Sequence, residues 1–185
     1  MTRIVAGAVG GRTLHTPPGR GTRPTSEKVR SALFDALDAR GLVRGERVLD
    51  LFAGSGALGL EAASRGAVAV TLVEQDRRAA AVIRENVASL RLPGIDVRAT
   101  TVAAALAGEP TAFGLVLLDP PYDLDEHALA DVLDRLTQGW LAPDAVVVVE
   151  RSTRSPEPTW PAGLEPERAK RYGETTVWFA LGSGS

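Results

Sequence analysis

Asp119, Pro120, Pro121 and Tyr122 follow directly on the apolar run Phe113 to Leu118, so a carboxylate, two prolines and an aromatic ring stand where a buried strand is expected to surface. Residues of these types suit chemistry on the amino group of a planar base. Proline carries no N–H, which leaves the carbonyls around Pro120 and Pro121 with fewer local donors and able to act as acceptors. With the Asp119 carboxylate beside them, two acceptors can hold both hydrogens of an exocyclic amine and turn its lone pair toward an electrophile. Tyr122 offers a face for the ring to stack on. The four residues predict a nitrogen-methylation site; the alternative is a Pro-rich turn that only ends a strand.

A second constellation lies upstream. Val48 to Leu60 reads VLDLFAGSGALGL, in which Gly54, Gly56 and Gly59 satisfy G-x-G-x-x-G between a predicted strand and a predicted helix. Glu74 stands 20 residues past Gly54, so the pattern also fits a dinucleotide site with its ribose-binding acid. Charge separates the two readings. Asp50, at the strand end under the loop, repels a pyrophosphate and favours a cation. S-adenosylmethionine carries an ammonium and a sulfonium and suits this acidic cradle. Glu74, with Gln75 beside it, then faces the ribose, Phe52 and Ala53 form an apolar wall, and Ser55 offers a hydroxyl to the carboxylate end. A nicotinamide-dependent oxidoreductase ranks behind this reading.

Both constellations need a scaffold that brings them together. From Arg47 onward the pattern alternates between strands and helices. Strands are predicted at Arg47 to Phe52, Val68 to Glu74, Ile95 to Thr100, Phe113 to Asp119 and Ala145 to Glu150. Helices are predicted at Ala57 to Arg65, Arg77 to Leu90, Val102 to Ala107 and Glu126 to Gln138. Such alternation implies a parallel sheet covered on both faces, with ligands at the carboxyl ends of its strands. Residues 1–45 form a basic N-terminal extension, a hairpin over Ile4 to Thr16 and a helix capped by Thr25 or Ser26 and closed by Gly41. Residues 46–181 form the α/β domain, ending in a hairpin of Arg168 to Tyr172 and Thr175 to Ala180 around Gly173 and Glu174. Residues 182–185 read as a disordered tail.

Composition narrows the chemistry. The 185 residues contain no cysteine, which excludes disulfides, thiolate metal sites and the covalent cysteine route to pyrimidine carbon-5 methylation. The target is therefore expected to be a nitrogen or an oxygen. His15 and His127 lie too far apart to suggest a metal site, and none is predicted. No apolar run approaches membrane-spanning length, and the first residues lack a signal-peptide core, which points to a cytoplasmic protein. The net charge is −2, unevenly spread. Residues 1–30 hold Arg3, Arg12, Arg20, Arg23, Lys28 and Arg30 against Glu27 alone, a local balance of +5 that leaves −7 for the remainder. A basic arm on an acidic body is expected where one end grips phosphates; a solvated basic tail is the plainer reading.

The chain resembles the RsmD family of class I methyltransferases. The resemblance rests on RIVAG at Arg3 to Gly7, Gly11 and Arg12 with Leu14, RPTSEKVRSALFDAL at Arg23 to Leu37, VLDLFAGSGALGLEA at Val48 to Ala62, VEQD at Val73 to Asp76 and LLDPPY at Leu117 to Tyr122. It runs from Arg3 to about Ala180 and is most specific over Arg23 to Leu37. It implies a Rossmann-like, mostly parallel seven-stranded sheet whose last hairpin is antiparallel. It also implies methylation of the exocyclic N2 of a guanine in small-subunit ribosomal RNA, with S-adenosylmethionine as cofactor, by a monomer acting on RNA within a small-subunit particle. In similar enzymes the loop before the first long helix leads to the sheet edge, which adds Thr25 to the cofactor set. An acid often follows the third strand in such enzymes to meet the adenine amine. Here Thr101 and Val102 stand there, so Thr101 or backbone groups take that part. Two other functions are compatible with these residues: a DNA adenine-N6 or cytosine-N4 methyltransferase, and a non-catalytic RNA-binding module in ribosome assembly.

Overall fold

The computed structural model describes residues 1–19 and 24–183, and the side chains of all these except Pro24, Thr25 and Ser26. Arg20 and Arg23, expected to grip phosphates, lie outside the described residues, as does the side chain of Thr25.

The chain opens with two-residue strands β1 (Thr2–Arg3) and β2 (Thr13–Leu14), paired antiparallel. Helix α1 (Pro24–Ala39) follows. Strict alternation then gives β3 (Arg47–Asp50), α2 (Ala57–Ser64), β4 (Ala69–Glu74), α3 (Arg77–Leu90), β5 (Ile95–Ala99), the single-turn α4 (Val102–Ala105), β6 (Phe113–Leu118) and α5 (Glu126–Leu136). The chain ends in β7 (Leu141–Ser152), β8 (Leu164–Tyr172) and β9 (Thr175–Gly182). These last strands outrun the reading from sequence. β7 begins four residues early, past a register irregularity on β6 between Phe113 and Leu115. β8 begins at Leu164 and accommodates Pro166 because it is the edge strand and shifts register between Pro166 and Arg168. Gly182, expected in a disordered tail, pairs with Leu164, and the Ser183 N–H donates to the Gly163 carbonyl.

Seven strands form one sheet in the order β5-β4-β3-β6-β7-β9-β8, parallel except where β9 runs against its two neighbours. The central strands β3, β4, β6 and β7 are mostly apolar because both faces are buried, whereas the edge strand β5, IDVRA, is largely exposed. On one face, Val48, Leu115, Leu117, Val146, Val148, Val177 and Phe179 share a core with Ile4, Leu14, Leu33, Phe34 and Leu37 of the N-terminal segment. On the other, Leu49, Val116, Leu118, Val147 and Val149 pack with Leu129, Leu133 and Leu136 of α5. Ile4, Leu14 and the inward face of α1 are thus built into the main core.

That docking depends on one buried acid. Glu61 of α2 accepts the N–H groups of Val5 at 2.8 Å and Ala6 at 3.1 Å and the Arg65 Nε–H at 2.9 Å, and its carboxylate also lies 3.6 Å from Arg30 Nε. Removing it strands two backbone donors and takes a charged partner from Arg30, which keeps the Arg3 carbonyl and Thr2, and from Arg65, which keeps Asp35 and Asp38. Glu61→Ala is expected to destabilise the protein by about 3–5 kcal/mol, read as a lower urea midpoint; a loss below about 1 kcal/mol would show that the N-terminal segment docks by apolar contact alone.

The strand order reverses at β3, whose neighbours are β4 on one side and β6 on the other. Successive connections leave in opposite directions there and open a crevice at the carboxyl ends, where folds of this type take their ligands. The glycine loop after β3 and the Asp-Pro-Pro-Tyr segment after β6 flank that crevice, since Asp50 pairs with Leu117 and the Leu51 N–H donates to the Leu117 carbonyl.

Candidate active site

The loop from Asp50 to Gly59 is held by two acids from below. Asp50 is fully buried, and its Oδ2 accepts the Gly59 N–H at 3.0 Å. Gly59 packs tightly: a Cβ would stand 2.5 Å from Leu72 Cδ2 and 3.2 Å from Asp50 Oδ2, so Leu72 would have to shift. Glu74, at the end of β4, accepts the Gly54 N–H at 2.8 Å and the Asp76 N–H at 2.9 Å, one on each carboxylate oxygen. Each of those oxygens keeps a lone pair for a hydroxyl. Gly54 and Gly56 adopt positive φ of 59° and 84°, which lets the loop turn tightly into α2.

Asp50 Oδ1 is buried and has no hydrogen-bond partner among the described residues. Loss of hydration is the main reason its carboxyl is pushed up from 3.8 to about 7; the Gly59 and Phe52 N–H groups oppose the shift, and the nearby charges of Asp119 and Glu74 add to it. A buried acid with an unused oxygen fits a cationic ligand above the loop and rejects an anionic one. Around it, Ala53 is buried, Phe52 and Ser55 are partly buried, and Gln75 is exposed. Thr101 is also exposed, and its hydroxyl caps α4 by accepting the Ala104 N–H at 3.1 Å. Val102 packs partly into the core beneath α5. The residues expected at the cofactor therefore line three successive strand ends, β3, β4 and β5.

On the other side of the crevice, Asp119 is exposed, Pro120 is buried and Tyr122 is 78% exposed. The two prolines differ. The Pro121 carbonyl accepts the Leu124 N–H at 3.1 Å in a turn, so one of its two lone pairs is already used. No backbone N–H among the described residues donates to the Pro120 carbonyl. The segment is clamped from behind by Arg151 of β7, buried, whose Nη2 donates to the Leu124 carbonyl at 2.9 Å and to Glu126 Oε1 at 2.6 Å. Arg151 was not singled out from sequence, because a charged residue at a strand end looks solvated. Neither was Glu150, which is partly buried and whose carboxyl is raised well above the usual range by burial, then by Asp119 and Asp50, with Arg30 opposing.

The basic arm is not a single surface. Arg30 is only 4% exposed, pairs with Glu61 and donates to the Arg3 carbonyl, so its expected phosphate contact is corrected to a structural one. Arg12 Nη2 donates to the Ser89 carbonyl near the end of α3, and that helix starts at the crevice edge. At 1.5 Å per residue Arg12 lies roughly 18 Å away from it. Arg3 is exposed and pairs with Glu27 at 3.3 Å; Lys28 is exposed on α1. A further set of cations stands at the carboxyl edge. β8 runs in the same direction as β7, so its last residues reach that edge. Arg168 lies over Phe179, Lys170 over Tyr172, and neither these nor Arg171 forms an ion pair among the described residues. A cavity of about 750 Å³, lined by Leu106, Pro110, Asp134 and Trp140 near the start of β6, takes in none of the crevice residues.

Residues 2–181 match the family described as conserved hypothetical protein 95. The chain belongs to this family. It is 37% identical over 173 residues, 93% of this chain and 85% of the relative, to the ribosomal RNA small subunit methyltransferase D of Escherichia coli (strain K12). A solved Escherichia coli chain, titled provisionally as the methyltransferase yhhF, shares 34% identity at a TM-score of 0.87, covering 100% of this chain and 99% of that one. The magnesium protoporphyrin IX methyltransferase (ChlM) of Synechocystis PCC 6803, solved with bound SAM, matches in fold alone, with a TM-score of 0.68 at 15% identity over 89% of this chain and 87% of that one. The resemblance to the RsmD family and the Rossmann-like sheet with an antiparallel final hairpin are both met. The family member described here is a methyltransferase.

Proposed function

We propose that the protein transfers a methyl group from S-adenosylmethionine to the exocyclic N2 of a guanine in small-subunit ribosomal RNA. The observation that carries this reading is the pairing of an exposed carboxylate, Asp119, with the Pro120 carbonyl at the end of β6, across the crevice from the acid-backed glycine loop. When bound, S-adenosylmethionine supplies an electrophilic methyl on a sulfonium. Asp50, beneath the loop, favours its positive charge, and the Glu74 oxygens accept from its ribose. Asp119 and the Pro120 carbonyl hold the two amine hydrogens, so that the nitrogen lone pair points into the crevice. Asp119 also takes the proton that the amine sheds on alkylation. Tyr122 stacks on the base. If the base is paired, flipping it out costs a few kcal/mol, about what one or two stacking contacts return.

The RNA contact falls to exposed cations, Lys28 on α1 and Arg168, Lys170 and Arg171 on β8, together with Arg20 and Arg23, which precede α1 in the sequence. Each phosphate neutralised releases counterions, so affinity falls steeply with salt. Lys170→Glu with Arg171→Glu is expected to flatten the salt dependence and raise the RNA KM while leaving S-adenosylhomocysteine affinity as in the wild type. An unchanged salt slope would place the RNA elsewhere. The reading as a whole is tested by incubating the protein with labelled S-adenosylmethionine and a mixture of unmethylated DNA and small-subunit particles lacking their methyl groups: label is expected in the ribosomal RNA, and label in the DNA alone would overturn it.

A further inference from the structure

Glu150 stands in the crevice without a part in the reaction described above. Leu117 pairs with Val148 and Leu118 with Val149, so the next residues, Asp119 and Glu150, are neighbours at the ends of β6 and β7. Side chains alternate along a strand. Leu115 and Leu117 of β6, Val146 and Val148 of β7 and Val48 of β3 all face the core shared with α1, and Asp119, Glu150 and Asp50 continue those three rows. Three carboxyl groups thus cross adjacent strand ends on one face. Asp50 is sealed under the glycine loop, Asp119 is exposed, and Glu150 is partly buried beside Asp119, with Arg30 of α1 facing it and shared with Glu61. Neighbouring strands lie about 4.8 Å apart, so two such ends can address adjacent groups on one planar edge.

On guanine, the group next to the 2-amine is the N1–H donor, and beyond it lies the O6 acceptor. With the amine held by Asp119 and the Pro120 carbonyl, the next strand end meets N1. We propose that Glu150 accepts the N1–H of the target guanine and sets the enzyme's choice of guanine over purines that lack this donor. The inference rests on the guanine-N2 reading. A carboxyl group has an oxygen able to accept in either protonation state. In the neutral form it also donates, and presents an acceptor and a donor side by side, the complement of N1–H and O6. The surroundings favour that form, since burial and the charges of Asp119 and Asp50 outweigh Arg30.

The test uses particles reconstituted with either guanine or 2-aminopurine at the methylated position. 2-Aminopurine keeps the amine but has a bare acceptor at N1 and no O6. Wild-type kcat/KM is expected to favour guanine roughly ten- to a hundredfold. Glu150→Gln, which keeps an acceptor beside a donor, retains that preference, and Glu150→Ala brings the ratio close to one by losing rate on guanine. A purely structural role as a counter-ion to Arg30 would slow both substrates in parallel and leave the ratio intact, which overturns the proposal while the guanine-N2 reading stands. A wild-type ratio near one overturns it even if Glu150→Ala fails to fold. No transfer by the wild type to the guanine particles overturns both.

Discussion

Asp119→Ala is expected to lower methyl transfer by roughly 10²- to 10⁴-fold, the range for removing a group that both orients a reactant and takes its proton. The cofactor affinity should remain near that of the wild type, because Asp119 lies across the crevice from the glycine loop. The fold should persist, because Asp119 is exposed and lies beyond the end of β6. Two effects favour a small gain in stability at neutral pH, since the Asp119 charge raises the carboxyls of both Asp50 and Glu150. Single-turnover rates, calorimetry with S-adenosylhomocysteine and a melting curve separate the three quantities. A folded variant that transfers methyl at the wild-type rate would remove Asp119 from the chemistry.

Asp50→Asn is expected to strengthen the fold at alkaline pH and to weaken the cofactor. The folded carboxyl titrates at about 7 against 3.8 as its ordinary value, so the native state holds a proton that the unfolded chain has released. Between those two values stability falls as pH rises, and above the upper one the full cost is in place, on the order of 4 kcal/mol at most. Replacing the acid by an amide removes this cost. Urea midpoints should therefore show the variant gaining on the wild type from pH 5 to pH 8, with little difference at pH 4. Cofactor binding shows the opposite preference. Wild-type affinity for S-adenosylmethionine should increase between pH 5.5 and 7.5 as Asp50 ionises, and the variant should bind weakly with a flat profile. Equal stability of the two proteins at pH 8 would mean that burial does not raise the Asp50 carboxyl above its ordinary value.

The sheet was legible because its central strands β3, β4 and β6 are buried on both faces and appear as mostly apolar runs ended by Asp50, Glu74 and Asp119. The glycine loop was legible for a related reason, since positive φ at Gly54 and Gly56 and the tight approach of Gly59 to Leu72 favour glycine. Arg30 was misread because charge was counted along the chain and not around the helix. It lies three and four residues before Leu33 and Phe34, which are both fully buried, and so belongs to the inward face of α1. Its partner Glu61 sits in the otherwise apolar α2, a pairing that crosses 31 positions of sequence and leaves no local signature. Glu150 and Arg151 carried a signal that was available, because Val146, Val148 and Glu150 share one face by simple alternation. What alternation alone does not supply is the neighbour, and the pairing with β6 is what gives Glu150 its place beside Asp119. The Pro121 carbonyl needed the turn to Leu124 to be seen before its acceptor could be assigned.

The central claim is that this crevice methylates the 2-amine of guanine, and the identity of the modified nucleoside tests it most directly. Small-subunit particles lacking their methyl groups, treated with the protein and isotopically labelled S-adenosylmethionine, would be digested to nucleosides and separated by mass. The account predicts label in N2-methylguanosine, abolished by Asp119→Ala. Label in N6-methyladenosine or N4-methylcytidine would contradict it.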